Sequence, residues 1–106
     1  MAKYLFIGTY TTEGARGVLK DGGSKRRQVV QNLMESLGGS LEAFYFGFGG
    51  DDFYVIGDLP DHAAAAAGSM NVGASGTMAV RTVVLIEPEE IDDASRRSVS
   101  FSPPGA

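Results

Sequence analysis

Residues 41–68 read LEAFYFGFGGDDFYVIGDLPDHAAAAAG, and this stretch decides the fold. Two runs rich in aromatic and β-branched residues, 41–48 and 53–59, flank Gly49-Gly50-Asp51-Asp52. Such side chains favour pleated backbone, and a short Gly/Asp connection closes a hairpin. Pro60-Asp61 then opens a helix, with Asp61 as its N-cap and the five alanines 63–67 as its body. Alanine has the highest helix propensity and the thinnest profile, so this helix can lie close against a sheet.

Working outward, residues 24–37 place Val29, Val30, Leu33, Met34 and Leu37 on one helix face, and Gly38-Gly39 ends that helix. Ser24 is its expected cap. Thr11 or Thr12 caps an earlier helix over 13–20, with Glu13 in its first turn, and Gly22-Gly23 interrupts the two. Residues 3–9 (KYLFIGT) read as the first strand and 77–86 (TMAVRTVVLI) as the last. Pro88-Glu89-Glu90 starts a short terminal helix. The order β-α-β-β-α-β predicts an α+β, ferredoxin-like fold: a four-stranded antiparallel sheet with two main helices on one face. The domain is expected over residues 1–94, followed by a mobile tail, 95–106, that is polar and proline-bearing.

The composition bounds the function. With 106 residues, 43% hydrophobic and 21% charged, the chain makes one globular domain. Its net charge of −4 argues against nucleic acid, because phosphate contacts need a basic face. There is no cysteine and one histidine, His62, so thiolate chemistry and a histidine metal cluster within one chain are excluded. No motif calls for a cofactor. The apolar run 4–7 is too short for a signal-peptide core. Residues 62–80 carry no formal charge, but their glycines, serines and asparagine read as helix and turn rather than as a membrane span. The expectation is a soluble, cytoplasmic protein that does not enter membranes.

Both faces of the expected sheet are apolar. In the second strand Leu41, Ala43 and Tyr45 point one way and Phe44, Phe46 and Phe48 the other. In the last, Met78, Val80 and Val84 oppose Ala79, Val83 and Leu85. Helices cover one face only. Each large side chain left wet on the other forgoes roughly 1.5–3 kcal/mol of burial. A second copy of the chain, associating through the open sheet face, is the simplest cover.

The chain also resembles the GYD-domain family over residues 3–93. The carrying residues are Tyr4, Gly8-Thr9-Tyr10-Thr11 with Glu13-Gly14, Leu37-Gly38-Gly39, Glu42, Tyr45-Phe46, Gly49, Asp52, Leu59-Pro60-Asp61, Ser75-Gly76, Val80-Arg81-Thr82 and Pro88-Glu89-Glu90. The resemblance implies a dimeric α/β barrel built by sheet-to-sheet packing, and it implies no particular activity. One departure stands out: the family usually has an aromatic residue before the aspartate that aligns with Asp52, and this chain has Asp51.

Several residues carry candidate chemistry. Asp58 and His62 sit four apart, so the carboxylate could orient the imidazole as a general base; the plain alternative is a solvated aspartate and an exposed histidine. Arg81 lies inside an apolar strand and suits a carboxylate ligand, or else an ion pair with Glu42 or Asp58. Tyr10 and Tyr45 are candidate phenolic donors to a pocket between sheet and helices, or core residues with satisfied hydroxyls. Lys25-Arg26-Arg27 at a helix start reads as an anion site or a solvated face. Gly8, Gly47 and Gly57 mark bulges, ligand room or close helix approach.

Two functions follow. One is a small oligomeric module serving small-molecule binding, assembly or regulation. The other is a cofactor-free enzyme on a small carboxylate or aromatic substrate, with Arg81 as anion clamp and Asp58 or His62 moving a proton. An enclosed pocket holding Arg81 favours the enzyme; Arg81 paired to a carboxylate favours the module.

Overall fold

The computed structural model describes residues 1–106. The chain runs β1 (Ala2–Tyr10), α1 (Thr12–Asp21), α2 (Gly23–Ser36), β2 (Ser40–Phe46), β3 (Phe53–Leu59), α3 (His62–Ala74), β4 (Met78–Leu85) and α4 (Pro88–Ser95). One sheet of order β2-β3-β1-β4 holds all four strands, and every neighbouring pair is antiparallel. This is the expected α+β arrangement, with the first crossover split into two helices.

Local chemistry sets the boundaries. The Thr11 hydroxyl accepts from the Gly14 N–H at 3.2 Å and so caps α1. Gly22, at φ +81°, ends α1 and caps α2, two residues earlier than a Ser24 cap predicts. The Asp61 carboxylate accepts from the Ala64 N–H at 2.8 Å and caps α3. Pro88 opens α4, and the Glu90 carboxylate accepts from the Glu87 N–H at 3.1 Å.

The core lies between the sheet and α2 and α3. Tyr4, Phe6, Phe53, Val55 and Leu59 meet Met34 of α2 and Ala65 of α3. The thin α3 approaches closely: a Cβ on its buried Gly68 would crowd the Leu37 side chain. Its Ser69 hydroxyl also pairs with that of Thr82 on β4, 2.9 Å apart.

Two readings of β2 need correction. A bulge between Leu41 and Ala43 breaks strict alternation, so Leu41 joins the helix-side core while Ala43 and Tyr45 stay on the open face. Phe48 is not in the strand; β2 ends at Phe46, and Phe48 stands fully exposed at the hairpin tip. The sequence glycines do not mark the bulge. Gly8 leaves room for the Phe53 ring and Gly57 for the Met34 thioether, so both serve close packing.

No other element covers the open face. Helix α4 buries none of its residues and makes no substantial packing contact with the rest of the chain. The radius of gyration is 16.9 Å, against about 13 Å for a compact chain of this length.

Candidate functional site

The open face is an apolar band between two polar clusters. Leu5 and Ile7 on β1, Tyr54 and Ile56 on β3, and Val83 and Leu85 on β4 form the band. At one end the Lys3 ammonium donates to Glu42 at 2.9 Å and Asp58 at 3.0 Å. The bulge is what brings Glu42 within reach. Both carboxylates raise the Lys3 pKa above its ordinary 10.5, the Glu42 hydrogen bond most. At the other end the Arg81 guanidinium donates to Asp51 at 2.7 Å, and the Thr9 hydroxyl donates to the same carboxyl at 3.2 Å. Arg81 is the main cause holding Asp51 below the ordinary carboxylate value of 3.8.

Arg81 therefore pairs with Asp51 rather than with Glu42 or Asp58. The residue standing where the family usually has an aromatic ring ties the hairpin to β4. Its neighbour Asp52 is structural as well: its carboxylate accepts from the Tyr10 N–H at 2.7 Å, and its own N–H donates to the Gly8 carbonyl at 2.8 Å.

Asp58 and His62 do not meet. Asp58 is held by Lys3 on the open face, whereas His62 Nδ1 lies 2.6 Å from the hydroxyl of Tyr4, which is 1% exposed. Tyr4 belongs to the helix side, so the sheet separates the two residues. Tyr45 also falls on the open face, opposite Tyr54 and 71% exposed, rather than in a pocket beneath the helices. Tyr10 alone of the two candidate phenols faces the helices.

There it borders an apolar cavity of about 100 Å³ between the sheet, α2 and α3. Phe44, Phe53 and Met78 line it from the sheet, with Leu33 from α2 and Val72 from α3. Arg26 is the one charged residue in the lining. Its guanidinium lies beside the Tyr10 phenol, and its Nε is buried without a hydrogen-bond partner. It makes none of the chain's ion pairs. Burial pushes the Tyr10 pKa above its ordinary 10.0; the Arg26 charge pulls against this, and the Asp52 carboxylate adds to it. The Lys25-Arg26-Arg27 run reads as an anion site or a solvated face, and spacing singles out Arg26 within it. It lies four, seven and eleven residues before Val30, Leu33 and Leu37, so it occupies a position on the apolar stripe of α2.

An antiparallel sheet with helices on one face, one open apolar face and a small cavity beneath defines a ferredoxin-like α+β domain. A family model describes the chain more closely: the GYD domain matches residues 4–95, and the chain belongs to that family. No curated protein and no solved structure shows a significant match. No group of three or more His, Asp or Glu side chains is placed to hold a metal ion, and no helix is long and apolar enough to cross a membrane.

Proposed function

We propose that this GYD domain works as a small oligomeric module, in which two copies pack open face to open face as a dimeric α/β barrel and the assembly binds a small molecule without transforming it. The apolar open face carries this reading. Its band of aliphatic and aromatic side chains has the composition of an interface core, and the Lys3 and Arg81 clusters have that of a polar rim. The accessible surface supports it. A folded monomer of 11.1 kDa is expected to expose about 5,700 Å², whereas this chain exposes 7170 Å². That surplus is about twice what a standard interface removes from one partner, roughly 800 Å². The candidate proton-transfer groups Asp58 and His62 lie on opposite sides of the sheet, so no catalytic role is proposed for them.

The double variant Tyr45→Lys/Val83→Lys tests assembly. Both side chains are exposed on the open face, so the isolated fold should persist with unchanged circular dichroism. The native mass of the parent chain should be at least twice that of one chain, and the variant should fall to a single chain. A parent chain that stays monomeric at micromolar concentration would remove the assembly reading.

A further inference from the structure

We propose that the cavity between the sheet, α2 and α3 binds a small apolar carboxylic acid, its carboxylate paired with Arg26 and Tyr10 and its hydrocarbon body inside. This names the ligand class for the binding role above and rests on that role, while standing apart from assembly, which uses the opposite face.

The cation selects the charge. Arg26 is the one charged residue in the lining, no carboxylate of the chain pairs with it, and its Nε is buried and unbonded. A buried donor without a partner is costly, and an anion bonded to it relieves that cost. The geometry of the donors selects the head group. A guanidinium edge offers two parallel N–H bonds, which match the two oxygens of a carboxylate. The neighbouring Tyr10 phenol, protonated at neutral pH like any tyrosine, adds one donor. One guanidinium and one phenol are a sparse set for a phosphate, which presents three oxygens and up to two charges.

The walls select the body. Thirteen of the sixteen lining residues are hydrophobic, so the space inside rewards hydrocarbon. The volume limits it: the cavity holds about 100 Å³, and an apolar protein cavity of about 150 Å³ accommodates benzene. The enclosed body is then a chain of a few carbons, or a single ring that leaves part of itself at the open mouth of the cavity.

Calorimetric titration with hexanoate and benzoate, each set against its neutral amide, tests the assignment. The acids should bind at least tenfold more tightly than the amides, as expected where a charge-assisted bond is made in a dry site. Amide shifts in the nuclear magnetic resonance spectrum should cluster on Tyr10, Leu33 and Val72. Arg26→Met keeps an unbranched apolar stem and should erase the preference for acid. Val72→Phe should fill the space and abolish binding of both. Tyr45→Lys/Val83→Lys should leave acid binding unchanged, which separates this site from the assembly. Equal binding of acid and amide would overturn the carboxylate assignment and leave the binding role standing. No binding of either at millimolar concentration would overturn both. The acid–amide comparison needs no variant, so it stands even where a substitution impairs folding.

Discussion

Asp51 shows how one side chain takes a role its position does not announce. Two adjacent aspartates in a glycine turn read as turn chemistry, yet Asp51 reaches across to Arg81 on β4 while Asp52 bonds the backbone of β1. Sequence spacing predicts partners along one element. It does not predict a pair thirty residues apart across a sheet. Folding holds the Asp51 carboxyl below 3.8, chiefly through Arg81. A carboxylate with a lowered folded pKa adds stability that is present above its unfolded value and lost as pH falls through the folded one. The pair is exposed, so its effect is best followed on the group itself. In an Arg81→Met variant the Asp51 titration, followed by carboxyl carbon chemical shift, should move up towards 3.8 and the acid end of the unfolding curve should lose that component. An unmoved Asp51 would show that Arg81 is not its cause. Tyr10 and Tyr45 make a related point. Both are phenols in strand-forming contexts, and only the register of each strand decides that one faces the cavity and the other faces outward.

At the scale of elements, periodicity was legible and its interruptions were not. The helix face of α2, the alanine body of α3 and the run of four strands all follow from spacing and propensity. The bulge in β2 does not, because no glycine or proline marks it; it exists so that Leu41 can join the core while Glu42 meets Lys3. Capping chemistry is more readable. Asp61 accepts the Ala64 N–H at the start of α3, so Asp61→Ala should destabilise the fold by about 0.5–2 kcal/mol, measured as a lower urea midpoint with unchanged slope. Asp61→Asn should recover most of that loss, since it offers the same acceptor. The helix needs its cap, because five alanines give it little side-chain area with which to hold the sheet.

For the whole molecule, the informative feature is surface left uncovered. Only 12 of 106 residues are buried, and α4 with the residues after it carries Ile91, Val99 and Phe101 exposed. These side chains add no burial to their own chain, so they are available to a second one. Removing residues 88–106 should therefore leave the circular dichroism of the sheet and its helices essentially intact. It should weaken self-association at least tenfold, read from the concentration dependence of the native mass by analytical ultracentrifugation. Unfolding of the truncated chain would mean that the arm supports its own domain instead. The lone charge in the cavity belongs to this scale too, since α2, α3 and the sheet must all be in place before Arg26 borders an apolar cavity.

The order of strands and helices, the caps that start α1 and α3, and the surplus of apolar surface were determined by the sequence alone. Each depends on neighbours a few residues away, or on composition summed over the chain. Which face each side chain occupies, that Asp58 and His62 are parted by the sheet, that Arg81 finds Asp51, and that Arg26 lies unpaired beside Tyr10 were decided only by the tertiary structure. The reason is physical: strand register and one bulge assign faces, and those are set by long-range packing, which no local pattern encodes.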